Sequence, residues 1–380
     1  TIFSGAVLPS TAMEPMCIST APSPSTHHTF VPGFCTATPR AILLLCPMEP
    51  TVRKSYLWLC PLCSLISNSS LLALPVVLTI GSSPDACTMW RMISFNLTLD
   101  VLQKLPNGYH SLEMIMQTID IYDVLTVSIT GSPEIHLHMN KELPDKIPPE
   151  KNLVYKAAKV MQEKYHLSNG FAIKLQKNIP AAAGLAGGSA DCAATLTAIN
   201  TICDLGLSKE ELCQVGVTLG ADVPFCIMQG TMLAEGIGEI LTPLPDLPPL
   251  WALLIKPHIS VSTPYVYSEI DKQNIVTRPD TNAVIDAIKR KDPVGIAQKL
   301  CNVLELVTIP EYPVLAQIKE FLLQNGSIGA LMSGSGPTTY GLFQDEILAN
   351  FAYRAALEKY SDCDVILCQT KKPDTDKIFN

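Results

Sequence analysis

From residue 93 onward, apolar and charged positions alternate with the regularity that packed elements need, whereas the stretch before it shows no sustained period. "SFNLTLDVL" (94–102) alternates as a strand. It runs into the turn signal Pro106-Asn107-Gly108 and then a mixed segment, "SLEMIMQTIDIYDVLTVSI". In "EKNLVYKAAKVMQEKY", helical spacing places Leu153, Ala157, Val160 and Met161 on one stripe. "FAIKLQKNIP" (171–180) reads as a strand that leads into "AAAGLAGGSA". "SADCAATLTAINTI" then predicts a helix whose first-turn amides Ser189 is placed to satisfy. "SKEELCQVGVTLG" predicts a helix opening on a Ser-x-x-Glu capping box.

The proline-rich "LTPLPDLPPL" (241–250) reads as an interdomain connection. Beyond it come a strand "WALLIKP", helices around "NAVIDAIKRK" and "YPVLAQIKEFLLQN", strand-loop-strand "ALMSGSGPTTYGLF", a helix "ILANFAYRAALEKY" and a strand "DVILCQT". Strands and helices mix without a series of βαβ units, which predicts an α+β fold rather than a doubly wound sheet. The expected division is an atypical segment over 1–92, a first lobe over 93–245 and a second over 246–380.

Composition sharpens the break at the start. Residues 1–92 hold six of the thirteen cysteines and eleven of the thirty prolines, with few charges, and predict little folded structure. Pro61, Pro75 and the Ser-Asn-Ser-Ser patch interrupt the apolar run 56–80, which argues against a spanning helix. Cys60 and Cys63 have metal-ligand spacing, but no second pair lies at finger distance. Few acids and many serines suit an organelle (plastid) transit peptide, yet arginines are sparse. The composition and the lack of an initiator Met fit a mis-started or mis-joined reading frame instead. The formal charge of −8 argues against a nucleic-acid or anionic-membrane partner. Cys192, Cys203 and Cys226 sit in apolar settings, as buried free thiols of a cytoplasmic protein would. His136 and His138 alternate in a strand-like stretch and read as sheet histidines rather than a metal pair.

Three segments carry chemistry. "KNIPAAAGLAGGSADCAA" (177–194) places glycines at a helix N-terminus, where unpaired amides and the macrodipole favour an anion. It lacks the Lys of a Walker A loop and the G-x-G-x-x-G of a dinucleotide fold. Asp222 in "GADVPF" is either a cap carboxylate or one that orients or deprotonates a substrate hydroxyl. "SGSGPT" (333–338) is a glycine-rich turn between apolar strands.

In this order and spacing the three segments resemble the GHMP kinase superfamily. "NLTLDVLQKLPNGYHSLEMIMQTIDIYD", "AEGIGEILTPLP", "VSTPYVY" and "NVLE" point to its branch that acts on cytidine diphosphate methylerythritol. The resemblance covers residues 93 to about 370. It implies a lobe like ribosomal protein S5 domain 2, a ferredoxin-like second lobe, and ATP-dependent phosphorylation, with Mg2+, of a hydroxyl on this small-molecule substrate. It further implies that Pro180, Ala183, Gly184, Leu185, Ala186, Gly187, Gly188 and Ser189 hold ATP, and that Asp222 faces the accepting hydroxyl. Asn96 would touch the substrate, and Tyr109, His110 and Tyr267 would receive the cytidine. Gly334, Ser335 and Gly336 would support the site from the second lobe.

The chain departs from the resemblance at one place. The family's opening strand reads Ala-Lys-Ile-Asn-Leu, with its lysine beside the catalytic aspartate, and Ser94 stands at that position here. Strand alternation puts Ser94, Asn96 and Thr98 on the site face and Phe95, Leu97 and Leu99 in the core. Arg91 falls on the opposite face and is a poor substitute. The alternatives to an active or impaired kinase are a non-catalytic nucleotide- or substrate-binding relative, supported by Ser94, and a GHMP kinase of another alcohol such as homoserine or mevalonate, opposed by Gly-Tyr-His. A membrane or secreted protein directed by 1–92 is a further alternative.

Overall fold

The computed structural model describes residues 85–141 and 148–370. The expectations made for the first 84 residues, including the Cys60/Cys63 spacing, lie outside the described residues. No described helix is long and apolar enough to cross a membrane.

Two long strands form the spine of the first lobe. β1 (Ala86–Lys104) and β2 (His110–Thr130) pair antiparallel around the turn at Asn107 and Gly108, where Gly108 takes φ 85°. β1 begins at Ala86, so the expected boundary at 92 falls inside it. Residues 86–92 look unlike the rest in composition, but Cys87 and Met89 alternate into the core while Ala86 to Met92 pair with β2. The mixed segment 111–129 is one strand. Burial of both faces over residues 114–119 hides the period that a half-exposed strand would show.

β3 (Ile135–Met139) and β4 (Gly170–Gln176) extend one side of this sheet. Between them lie a 3-10 turn (Pro149–Lys151) and α1 (Leu153–Lys164), which Asn152 caps by accepting from the Val154 amide at 2.9 Å. α2 (Gly187–Ile202), α3 (Lys209–Gly216) and α4 (Val223–Met228) follow, and α2 and α4 pack on β1. α3 opens on the expected capping box of Ser208 and Glu211, a device worth about 1 kcal/mol. β5 (Thr231–Gly236) pairs with β2, and β6 (Ile240–Pro243) with β5.

The connection 244–250 leads to β7 (Trp251–Pro257), which starts the second lobe. Next come α5 (Thr263–Ile270), α6 (Thr281–Lys289), α7 (Pro293–Ala297), β8 (Cys301–Asn302), α8 (Glu305–Glu311) and α9 (Val314–Gln324). β9 (Gly329–Met332), β10 (Thr339–Phe343), α10 (Glu346–Lys359) and β11 (Cys363–Gln369) complete it. The second sheet has the order β11-β7-β10-β9, antiparallel throughout, with α9 and α10 packed against it. β8 departs from the expected division of lobes. Its sequence lies in the second lobe, yet it pairs parallel with Thr98 and Leu99 of β1 and completes the first sheet. The lobes also meet where Phe95 stacks on Tyr340, at 4.1 Å between centroids, and where the Tyr340 hydroxyl donates to the Asn96 carbonyl at 2.8 Å.

Candidate active site

Two chambers open on either side of the glycine loop. One, of about 410 Å3, is lined by Pro180 through Gly188, with Asn152, Lys177 and Asp191. The other, of about 710 Å3, lies between the lobes and reaches from Ser94 and Asn96 to Asp222, His110, Tyr267 and the 333–335 turn. Gly184 and Ala186 line both, so the loop is a shared partition.

The partition has a specific backbone. Ala186, with φ 55°, precedes α2 in a left-handed conformation and offers no side-chain cap. The first helical hydrogen bond runs from the Ala190 amide to the Ala186 carbonyl at 2.9 Å, so the amides of Gly187, Gly188 and Ser189 come before it. Ser189 is therefore not the cap its position suggested. It is the third residue of the helix, and its side chain does not line the smaller chamber. A glycine-initiated helix without a cap leaves its amides and positive dipole end available to an anion. Gly184 takes φ 68°, and a Cβ there would lie 2.6 Å from the Ser333 carbonyl oxygen and 2.8 Å from that of Gly336. The Ser333 hydroxyl donates to the Gly184 carbonyl at 2.8 Å, which ties the two glycine loops together across the lobes.

A buried charge cluster frames the loop. Lys177 Nζ pairs with Asp123 and, at 2.7 Å, with Asp191 on α2. The second oxygen of Asp123 accepts from the Asn178 and Ile179 amides, which anchors the chain just before Pro180. Burial works against the Lys177 ammonium, but the two carboxylates together hold its pKa above the ordinary lysine value. Burial, opposed by Lys177 and reinforced by Asp123, pushes the Asp191 carboxyl up to about 8. Two acids sharing one base behave this way, because only one can ionise cheaply.

On the larger side, Asp222 occupies the cap position of α4, but its carboxylate makes no capping hydrogen bond. No cation pairs with it among the described residues. Burial raises its pKa, which suits a proton acceptor better than a structural ion. Tyr267 lies close by. Burial, and then the Asp222 charge, push its phenol up. The Tyr267 ring stacks on His110 at 5.2 Å between centroids. Asn96 Oδ1 accepts from the Gly334 amide at 2.6 Å, while its Nδ2, buried, has no partner among the described residues and remains an unused donor in the chamber wall. Asn302 Nδ2 braces the same turn through the Met332 and Gly334 carbonyls at 2.9 and 2.8 Å.

Ser94, buried at 2% exposure, lines the chamber with Asn96 as the alternation predicted. The rest of that face differs. Register shifts between Met92 and Ser94, and between Asn96 and Thr98, break the period. Phe95 and Leu99, expected in the core alone, also line the chamber, and Thr98 Oγ1 turns away to accept from the Ile115 amide at 3.0 Å. Arg91 donates to Thr197 Oγ1 on α2 at 2.9 Å and does not line the chamber, so it does not take the place of a lysine at 94.

The structure thus brings Ser94, Asn96, Tyr109, His110, Asp222, Tyr267, Gly334 and Ser335 to one chamber and Pro180, Ala183 and Leu185 to the other. Gly336 lies behind the turn, where a Cβ would strike Met332 Sδ at 2.7 Å, and lines neither. Sequence reasoning missed Lys177, Asp191 and Asp271. The first two bracket the glycine loop within fifteen residues and were there to be read. Asp271 contacts His110 from 161 positions away and left no local signal. Cys192 and Cys226 are buried free thiols and Cys203 is half-buried. His136 sits exposed on β3 beside Glu134, and the described residues hold no cluster of metal-ligating side chains.

Comparison with known proteins gives the same outline. Residues 152–230 match the GHMP kinases N terminal domain and residues 284–362 the GHMP kinases C terminal domain. A 4-diphosphocytidyl-2-C-methyl-D-erythritol kinase of Lachnoclostridium phytofermentans is 44% identical over 270 residues, covering 71% of this chain and 92% of that protein. The same kinase of Clostridioides difficile is 42% identical over 287 residues, covering 75% and 96%. Among solved structures, a 4-(cytidine 5'-diphospho)-2C-methyl-D-erythritol kinase superposes with a TM-score of 0.62 at 30% identity, over 75% of this chain and all of that one. A homoserine kinase from Cytophaga hutchinsonii, 18% identical, superposes with a TM-score of 0.63 over 77% of this chain and 97% of its own, and shares the fold.

Proposed function

The chain belongs to the 4-diphosphocytidyl-2-C-methyl-D-erythritol kinase family of the GHMP kinases, and on that premise we propose how its two chambers divide the reaction. The smaller chamber receives ATP and the larger receives 4-diphosphocytidyl-2-C-methyl-D-erythritol, whose 2-hydroxyl is phosphorylated on the non-mevalonate route to isoprenoid precursors. The observation that carries this reading is the shared wall. Gly184 and Ala186 border both chambers, so a phosphoryl group held at the start of α2 has an acceptor space directly beside it.

Asp222 takes the proton of the 2-hydroxyl as its oxygen bonds to the γ-phosphorus. The bond to the bridging oxygen breaks, and ADP leaves. The Gly187 to Ser189 amides hold phosphate oxygens, which is the positioning on which phosphoryl transfer depends. The Asn96 Nδ2 donor, without a partner among the described residues, is available to the acceptor. Mg2+ bound with the phosphates would neutralise their charge. Tyr109, His110 and Tyr267 form the far end of the acceptor chamber, where flat rings suit a pyrimidine.

A second reading, a relative that binds both ligands without turning them over, rests on Ser94. One assay separates them: ADP release with 4-diphosphocytidyl-2-C-methyl-D-erythritol and Mg-ATP, for this chain and for Ser94→Lys. The kinase reading expects slow turnover that the lysine raises on the order of 10²–10³-fold, the size of one charge-stabilising donor. Absence of turnover in both, with both ligands bound, supports the second reading.

A further inference from the structure

At the far end of the acceptor chamber, the His110 ring is held by an acid from the other lobe. His110 opens β2 with its side chain 6% exposed, and Nε2 lies 2.7 Å from Oδ1 of Asp271, which caps the C-terminus of α5. The other Asp271 oxygen takes Lys104 Nζ at 2.7 Å. These two donors, Lys104 first, hold the Asp271 carboxyl below its ordinary value, so it stays ionised and only accepts hydrogen bonds. The proton of a neutral imidazole must then sit on Nε2, which leaves Nδ1 as the acceptor. Nδ1 has no partner among the described residues, and the ring lines the chamber with one face against Tyr267.

We propose that Asp271 is a positioning residue that fixes the His110 tautomer so that Nδ1 accepts a hydrogen bond from the exocyclic amine of cytosine, making the chamber select cytosine over uracil. The inference rests on the reading of this chamber as the cytidine end of the acceptor site. Cytosine carries an N4 amine, a donor, where uracil carries a carbonyl oxygen. An Nδ1 lone pair matches the first and opposes the second. Sites built around a hydrogen bond reject analogues that cannot make it more strongly than sites that read shape alone. Lys104 lies mostly in solvent, so its pairing with Asp271 adds little stability of its own and serves to keep the carboxylate charged and aimed.

The test uses the full chain, with 4-diphosphocytidyl-2-C-methyl-D-erythritol and its uridine counterpart as probes. Turnover is measured with Mg-ATP, and binding with a non-hydrolysable ATP analogue filling the nucleotide chamber. An asparagine in place of an aspartate that orients a histidine presents an N–H and turns the tautomer over. In Asp271→Asn, the roughly 10- to 100-fold preference expected for cytosine should fall at least tenfold, through KM and Kd for the cytidine probe rather than through kcat. Asp271→Glu should restore much of it. Ring nitrogen NMR of the histidine-labelled chain, with His110 assigned by its loss in His110→Gln, should show Nδ1 unprotonated in the starting chain and protonated in Asp271→Asn. A protonated Nδ1 in the starting chain overturns the proposal even if the variant fails to fold, as does an unchanged preference in a folded Asp271→Asn. Absence of turnover with an Asp271-dependent cytosine preference in binding would refute the kinase reading and leave this one standing.

Discussion

The two chambers on either side of Gly184 are built from different material. The smaller draws almost wholly on the first lobe, and its polar character comes from backbone amides and from a charge cluster that is neutralised within itself. The larger takes side chains from residue 94 to residue 335, and its central carboxylate, Asp222, has no ion-pair partner among the described residues. On the proposed assignment of ATP to the smaller chamber and the acceptor to the larger, the difference follows from the ligands. A triphosphate is read by geometry that one short segment can supply, whereas an acceptor with a reactive hydroxyl at one end and a base at the other needs groups spaced across a cleft.

Four substitutions break or sharpen that contrast. The largest effect belongs to Asp222→Asn, which should lower turnover about 10²–10⁴-fold while leaving the affinity for an ATP analogue in place. Because burial raises Asp222, the acid limb of the starting chain's rate profile should sit above the ordinary carboxylate range. Lys177→Met acts on the other chamber. It leaves Asp123 and Asp191 facing each other without a cation, and should cost about 3 kcal/mol in denaturant unfolding and raise the KM for ATP more than that for the acceptor.

Gly184→Ala is the substitution that should not respect the division. Its Cβ meets backbone of the facing loop at 2.6 Å under a left-handed φ, at a cost of about 1–3 kcal/mol, and both KM values should rise together. An effect confined to one substrate would argue against a common wall. The last effect is a pH slope rather than a change in turnover. The folded Asp191 holds its proton up to about 8, while an unfolded one releases it near 4. The folded state therefore binds the extra proton between those values, and stability falls as pH rises through that window, then levels off. Asp191→Asn should flatten the melting temperature measured from pH 5 to pH 8.

What the sequence made legible follows the same line between local and distant. The capping box at Ser208, the turn at Asn107 and Gly108 and the strand leading towards Pro180 are each decided within a few residues, and the structure has all three. Ser189 departs from the expected cap for a physical reason. A serine beside a helix start is usually its cap, but here the loop turns left-handed at Ala186 and the helix begins two residues earlier. The lengths of β1 and β2 are hidden because their middle runs are buried on both faces and show no alternation. The chamber wall at Phe95 and Leu99 was hidden by bulges that no alternation rule foresees. The Asp271 contact with His110 exists only once the chain has closed on itself.

The short strand β8 gives the molecule a property that its bilobal outline conceals. Cys301 and Asn302 leave the second lobe to lie beside Thr98 and Leu99, and Asn302 then reaches back to the turn at Met332 and Gly334. The lobes are stitched rather than tethered. A gene cut at the connection 244–250 would strand this segment and bare the edge of the first sheet next to Asn96. The halves of this protein are therefore poor currency for recombination: a chimera joined at that seam should keep its fold only if the visiting half brings its own stitch.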